Sequence, residues 1–183
     1  MTLFVMYVPE TGHVVGAVNA NGVTPRTIPN PANGSSVDPA WLVGTALPMR
    51  VAVGPGEFAA VSLPAGELKV HTPDDQSDVF TNPLRYAVEL AGTTPQPALV
   101  RLPLWSGGLE FVATGLRVEV PEPATKVTQV LAWISDGEDT LGVPWEIAVG
   151  AKETTIPMTV DSGPHAVLVQ VAGWAGRLEK VTA

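Results

Sequence analysis

The chain has 183 residues, with 18 glycines, 18 prolines, no cysteine and a formal net charge of −8. Charged residues make up 15% of the sequence and hydrophobic residues 45%, which excludes a disordered chain because disorder needs the opposite balance. Prolines spread along the whole chain exclude a coiled coil, and the absence of cysteine excludes disulfides and thiolate metal sites. The class that remains is a globular, mostly β protein.

The first predicted element is a strand over residues 3–8, which are apolar on both faces. No positively charged segment precedes this run and no small-residue cleavage motif follows it, so we expect a strand opening here and not a signal peptide. A run that is apolar on both faces is typical of a central strand. Two later runs, residues 127–134 and 166–172, have the same character.

One short helical turn is predicted after residue 37. Asp38 can cap it, Pro39 suits the first helical position, and Gly44 can end it. Elsewhere hydrophobic residues alternate with polar ones, which predicts strands with one face in a core. The apolar sets are Leu68 and Val70; Tyr86, Val88 and Leu90; Leu116, Val118 and Val120; and Val143, Trp145, Ile147 and Val149. The predicted fold class is therefore all-β, with antiparallel β-sandwich units and at most one short helical turn.

The segment Pro121-Glu122-Pro123 is a stiff connector, so we predict an N-terminal β domain over residues 1–121 and a second unit over 122–183. In the second unit Trp133 stands in the middle of a predicted strand, and hairpins follow it at short intervals. This pattern resembles the interior of an immunoglobulin-like sandwich, which implies such a unit for the C-terminal third. Pro144 and Pro157 interrupt predicted strands, which indicates sheet edges or bulges.

No catalytic or cofactor-binding residues are predicted. The three histidines, His13, His71 and His165, lie in different predicted strands, and no nucleophile-elbow, metalloprotease or phosphate-loop motif is present. We therefore expect a protein that is not an enzyme, although a site assembled only in space stays open. Asp136, Glu138 and Asp139 form an acidic turn that would be the first place to look for calcium, but a solvated turn explains it better and no metal is predicted.

Tryptophans supply the candidate binding residues. Trp133 and Trp145 fall on apolar faces and are predicted to lie in the core. Trp105 falls on the face of Arg101 and Pro103, opposite the apolar side chains of its strand, and Trp174 lies at a strand end between glycines. Trp105, Arg101 and Trp174 are thus the interface or ligand candidates, because an exposed tryptophan serves protein interfaces and sugar stacking.

The favoured function is a non-enzymatic structural or adaptor subunit of a larger assembly, acting through protein–protein contacts. Residues 7–16, around a Thr-Gly turn, are similar to hairpins that start small phage accessory proteins, which implies a phage-tail-like or injection-machine-like particle. The alternative is a carbohydrate- or ligand-binding β-sandwich with an exposed tryptophan platform.

The expected partners are other protein subunits, in an oligomer or a larger complex. The acidic charge argues against nucleic-acid binding, which needs a basic patch, and no apolar run reaches the roughly 20 residues of a membrane span. The expected location is the cytoplasm or an assembled particle.

Overall fold

The computed structural model describes residues 2–22, 24–30, 34–74, 77–91, 96–135 and 139–183. The strands, in chain order, are β1 (Leu3–Tyr7), β2 (Val14–Asn19), β3 (Thr27–Asn30), β4 (Gly34–Val37), β5 (Ala46–Gly54), β6 (Glu57–Pro64), β7 (Lys69–His71), β8 (Tyr86–Ala91), β9 (Gln96–Arg101), β10 (Leu109–Val112), β11 (Gly115–Glu119), β12 (Thr128–Ser135), β13 (Thr140–Ile147), β14 (Glu153–Pro157), β15 (Pro164–Val171) and β16 (Arg177–Thr182). One α-helix, α1 (Pro39–Val43), and three 3₁₀ turns, Ala65–Glu67, Ser77–Phe80 and Pro83–Arg85, complete the described elements. The predicted all-β class is confirmed.

The chain divides into two compact units. The N-terminal unit comprises Met1–Leu47 and Leu63–Leu102, and the C-terminal unit comprises Pro48–Ser62 and Pro103–Ala183. The β5–β6 hairpin therefore leaves the N-terminal unit after Leu47 and contributes most of its length to the C-terminal unit.

The N-terminal unit is built on a three-stranded antiparallel sheet of order β2-β1-β7. β1 is its central strand, as its apolar run predicted, and a bulge shifts the register between Met6 and Tyr7. A second ladder, β8–β9, pairs Tyr86 with Arg101 at one end. The core of this unit is formed by buried side chains of both ladders and of one 3₁₀ turn, namely Leu3, Val5, Val14, Val79, Tyr86 and Val88.

The predicted helical turn is confirmed in every detail. The Asp38 carboxylate accepts the Ala40 N–H at 2.9 Å, and Pro39 occupies the first turn. Gly44 ends the helix with φ 71°, a left-handed conformation that glycine adopts without a steric penalty. Local capping chemistry was sufficient to predict this element because none of its signals depends on distant residues.

The C-terminal unit is a sandwich of two antiparallel sheets, a three-stranded sheet of order β10-β11-β14 and a four-stranded sheet of order β13-β12-β15-β16. Leu116 and Val118 of β11 face the core, while Arg117 between them lies on the outer face with Glu110, Glu119 and Glu153 around its guanidinium. From the other sheet, β12 contributes Val130, Ala132 and Ile134, and β15 contributes Val167, Val169 and Val171. This face of the four-stranded sheet is called the inner face below.

The other face of the four-stranded sheet is buried as well, which explains why β12 and β15 are apolar on both faces. Leu131, Trp133, Leu168 and Gln170 all lie there and are buried. The predicted core position of Trp133 is confirmed. Its ring covers Gly142 of β13 so closely that a Cβ on Gly142 would approach the ring to 2.7 Å.

The β5–β6 hairpin crosses this second face. Thr140, Ser135, Ala166 and Lys180 form one cross-strand row over all four strands, so their side chains share a face. At one end of the row the Thr140 Oγ1 accepts the Ser62 N–H at 3.0 Å, and at the other end the Lys180 Nζ donates to the Val53 carbonyl at 3.0 Å. Because Thr140 and Lys180 stand on opposite edge strands, the hairpin spans the width of the sheet.

The boundary expected at residues 121 and 122 falls inside the C-terminal unit. β10 and β11 precede the Pro121-Glu122-Pro123 segment, yet they form two of the three strands that cover the inner face. The Val120 N–H donates to the Lys152 carbonyl and the Ala124 N–H to the Ala151 carbonyl, so backbone hydrogen bonds flank that segment. A stiff connector can thus lie within a compact unit as well as between two domains.

Within the described ranges, no helix has the length and apolar character that a membrane crossing requires.

Candidate functional site

Strand β13 is an open edge of the four-stranded sheet. It pairs with β12 from Thr128 opposite Ile147 to Ser135 opposite Thr140, and no strand pairs with its other side in the described part of the chain. β14 is likewise an edge strand, of the facing sheet. The prediction that Pro144 and Pro157 mark edges is confirmed, because these residues lie in β13 and β14.

Pro144 also indicates which backbone groups the open edge presents. Proline has no N–H, so within an antiparallel ladder it is tolerated where its nitrogen faces away from the partner strand. N–H directions alternate along a strand, and Gly142 and Glu146 therefore share the outward direction of Pro144. The open edge offers the N–H groups of Gly142 and Glu146 with a gap at Pro144 between them.

Two large apolar side chains are exposed on this edge. Leu141 is 56% exposed and Trp145 is 39% exposed, and both lie on the inner face of β13. The predicted core position of Trp145 is wrong. Alternation placed it correctly on the same face as the buried Ile147, but an edge strand has no neighbour to cover that face completely. The indole N–H of Trp145 donates to Thr154 Oγ1 of β14 at 2.9 Å, which fixes the ring at the rim.

An open depression of about 360 Å³ adjoins the start of β13. Its apolar lining residues are Ile134, Leu141 and Val160, and its acidic ones are Asp139 and Asp161. Thr140 and Thr159 also line it. No Lys or Arg is among the described residues that line it, so the depression combines an apolar floor with negative charge.

His165 completes this lining and is buried. Its Nε2 lies 2.8 Å from the Asp161 carbonyl, which only accepts hydrogen bonds, so the proton is on Nε2. The Nδ1 atom has no hydrogen-bond partner among the described residues and is shielded from solvent. Phe111 packs against the imidazole edge to face, with 5.5 Å between ring centroids.

Trp105, the first of the predicted binding residues, is only 7% exposed and does not form the exposed platform that the sequence indicated. Its indole N–H donates to the Ala175 carbonyl at 2.7 Å, and the Arg177 guanidinium covers the ring at 4.3 Å from its centroid. Arg177 is itself held by the Gly107 carbonyl and by Glu179. Trp105 follows the end of β9 and lies in no strand, and its ring belongs to the core of the C-terminal unit, with the Arg177 guanidinium over it.

The other two predicted binding residues lie in different units. Trp174 is half-buried and packs against the core of the C-terminal unit. Arg101 is exposed in β9, within the N-terminal unit. Their roles in binding stay predictions.

Of the acidic turn singled out for calcium, Asp136 and Glu138 lie outside the described residues, and Asp139 lines the depression beside β13. Among the described residues, no group of three or more His, Asp or Glu side chains has a geometry that would hold a metal ion.

The remaining histidines belong to the N-terminal unit. His13 is fully buried and forms an isolated bridge with Ala87. His71, in β7, is half-buried, and loss of solvent lowers its pKa from the ordinary value of 6.5, an effect that nearby Asp74 partly offsets. Burial also raises the pKa of Tyr7 in the adjacent strand.

The exposure of Leu141 was not predicted, because alternation shows which face of a strand a side chain lies on but not whether another element packs over that face. Pro144 was the signal that could have found it, since an edge strand with an apolar flank exposes that flank. Phe58, 68% exposed near the turn of the β5–β6 hairpin, carried no signal in its local sequence.

No protein-family model and no curated protein sequence matches this chain.

Proposed function

We propose that the protein is a non-enzymatic structural or adaptor subunit of a larger assembly and that the open edge of β13 is a contact surface for another subunit. The observation that carries this proposal is the exposure of Leu141 and Trp145 on a strand whose second edge has no partner strand among the described residues. An unpaired edge supplies backbone donors and acceptors for an added strand, and apolar flanking side chains supply the buried contacts.

The energetics favour use of this edge. Burying a fully exposed large apolar side chain contributes about 1.5–3 kcal/mol, and covering the exposed 56% of Leu141 and 39% of Trp145 contributes a corresponding fraction of that for each. Hot spots of interfaces are enriched in tryptophan, and Trp145 is held in place before binding by its hydrogen bond to Thr154. A preorganised anchor loses little rotamer entropy when a partner covers it.

We also propose an immunoglobulin-like topology for the C-terminal unit. Counted within this unit, its last seven strands run 1-2-5 in one sheet and 4-3-6-7 in the other. In constant-type immunoglobulin domains the fourth strand pairs with the first sheet, whereas here it pairs with the third strand. The two-sheet arrangement supports the proposal, and the phage-tail-like or injection-machine-like setting rests on the resemblance of residues 7–16 alone.

Sugar or ligand binding is the second candidate, and one observation favours it. Trp145 presents a partly exposed indole beside β13, where a sugar ring could stack. Glycan binding that is lost in Trp145→Ala and kept in Phe58→Ala, a change at an exposed aromatic residue, would support this alternative over protein contact.

The edge is tested with an extended peptide that pairs on one side only. The probe is an eight-residue peptide of alternating valine and threonine, N-methylated at every second residue so that it cannot pair with itself. We expect it to slow deuterium exchange at the Gly142 and Glu146 amides of the full chain, because these face the open edge.

Leu141→Asp should abolish this protection, since it places a charge on the apolar flank. The matched control is Val149→Asp, which adds the same charge at an exposed valine beyond the end of β13. Absence of any protection at millimolar peptide in the wild-type chain would contradict the proposed contact surface.

A further inference from the structure

We infer that Pro144 determines the specificity of the β13 edge. It rejects a continuous strand, above all the β13 strand of a second copy, and admits an extended segment of another protein that leaves the ladder where it passes the proline. This inference rests on the proposed contact surface and adds what the partner must look like. Its starting point is the place of Pro144 within the open edge strand β13.

The proline ring blocks one position of the edge. The Pro144 nitrogen faces away from β12, so its ring carbon Cδ occupies the place of the hydrogen that another residue would direct outward. A ladder hydrogen bond brings nitrogen and oxygen to about 2.9 Å, and Cδ is bonded to that nitrogen. A regular added strand would therefore press a carbonyl oxygen against Cδ at far less than the van der Waals distance. An added strand has to bulge or end at this position.

The side chains of β13 show why this block matters. Leu141, Val143 and Trp145 share the inner face, and an antiparallel pair of two β13 strands centred on Val143 would place Leu141 of each copy opposite Trp145 of the other. Each of these exposed apolar side chains would then meet an apolar side chain of the second copy. The side chains of the strand are thus complementary to themselves, and an unprotected edge of this kind aggregates.

Two-fold symmetry makes the block strongest against a second copy. In a pair centred on Val143, Pro144 of each copy faces the Gly142 carbonyl of the other, so the same clash occurs on both sides of the axis. A strand of a different protein meets one proline only, and it pairs with Gly142 on one side of the break or with Glu146 on the other. The net charge of −8 on each copy acts in the same direction, because like charges reduce affinity.

The first test measures by calorimetry how tightly the full chain binds the continuous one-edge peptide of valine and threonine. Pro144→Thr restores an N–H at the edge and removes the clash, and it leaves the hydrogen bonds to β12 in place because the nitrogen faces outward. We expect this variant to bind the peptide roughly tenfold more tightly than the wild type does. The matched control is Pro157→Thr, at an exposed proline of β14 in the other sheet, which should leave the affinity unchanged.

The second test detects a β13 pair by disulfide cross-linking, which only an introduced cysteine can form because the chain has none. At the centre of the pair, position 143 would meet its own copy with Cα atoms about 4.5 Å apart, within the range that a disulfide spans. We expect Val143→Cys to form a cross-linked dimer in the Pro144→Thr background, in salt that screens the net charge, and roughly tenfold less of it with Pro144 in place.

Leu141→Cys in the Pro144→Thr background is the control for this cross-link. Leu141 is more exposed than Val143, so random collisions would cross-link it more readily. In the pair centred on Val143 it would lie about 14 Å along the strands from its own copy and should not cross-link.

The outcomes separate the role of Pro144 from the contact surface. Tighter binding by Pro144→Thr, with a cross-link of Val143→Cys only in that background, supports the role of Pro144. Equal binding by the wild type and Pro144→Thr overturns that role and keeps the contact surface. An equal yield of cross-linked Val143→Cys with Pro144 in place also overturns the role. Binding by neither protein overturns the contact surface, and binding by Pro144→Thr alone overturns it for the wild-type chain and supports the block.

Discussion

His71 gives the N-terminal unit a pH dependence at the level of one residue. Its folded-state pKa is lowered, chiefly by loss of solvent, so the folded chain binds this proton less well than the unfolded chain does. The stability that His71 contributes is therefore present above the ordinary value of 6.5 and is lost as the pH falls through the folded-state pKa.

We expect His71→Gln to remove this pH-dependent contribution to the free energy of unfolding. Urea unfolding at pH 7.5 and at acidic pH measures it as the difference between the wild type and the variant. Equal pH slopes for the two proteins would contradict the assignment to His71.

Trp133 and Gly142 form a second single-residue test. A Cβ at position 142 would meet the Trp133 ring at 2.7 to 3.1 Å, and the ring is buried and cannot move aside freely. We expect Gly142→Val to reduce the free energy of unfolding by about 1–3 kcal/mol, as is usual when a packed interior is overfilled.

The control for this change is Gly66→Ala, where an added Cβ meets nothing within 4 Å. Chemical denaturation followed by tryptophan fluorescence compares the two. If both substitutions reduce the free energy of unfolding by the same amount, the close packing of Trp133 on Gly142 is not the cause of the destabilisation.

At the scale of elements, the sequence predicted what depends on local chemistry. Helix α1 was predicted from Asp38, Pro39 and Gly44, whose capping roles need no distant partner. The central positions of β1, β12 and β15 followed from runs that are apolar on both faces, because only a strand covered on both sides keeps such a run out of water.

Positions that depend on a distant cover were beyond the same reasoning. Trp145 lies on the inner face, as alternation predicted, but it stays partly exposed because β13 is an edge strand. Trp105 was expected on the polar face of a strand, yet it lies beyond the end of β9 and is buried in the core of the C-terminal unit, with Arg177 over its ring. Of the candidate site, sequence therefore indicated the edge through Pro144 but neither the exposed Leu141 nor the acidic depression, which residues from β12, β13 and the β14–β15 connection form together.

At the scale of the molecule, the chain segments that make up the C-terminal unit determine which fragments can fold. Residues 122–183 contain β12 to β16 but lack β10 and β11, so the inner face with Val130, Val167 and Val169 would be largely uncovered. Residues 103–183 contain both sheets but lack the hairpin segment Pro48–Ser62.

We expect fragment 122–183 to show no cooperative unfolding in urea. Fragment 103–183 should contain native-like β structure and bind a hydrophobic dye through the uncovered face around Trp133 and Leu168. Circular dichroism and dye fluorescence measure these properties, with the full chain as reference. Cooperative unfolding of fragment 122–183 would instead support a domain boundary at residues 121 and 122.

The hairpin that crosses the second face has a consequence for biosynthesis. Val53 and Lys180, which meet through one hydrogen bond, are 127 residues apart in sequence. The β5–β6 hairpin is therefore synthesised long before the four-stranded sheet that it crosses. It can pack on that sheet only after β12 to β16 have been synthesised. Contacts of such long range make folding slow, on the order of milliseconds to seconds for β proteins. During translation the C-terminal unit completes its fold only once β16 has left the exit tunnel, and until then the unpaired strands are substrates for chaperones.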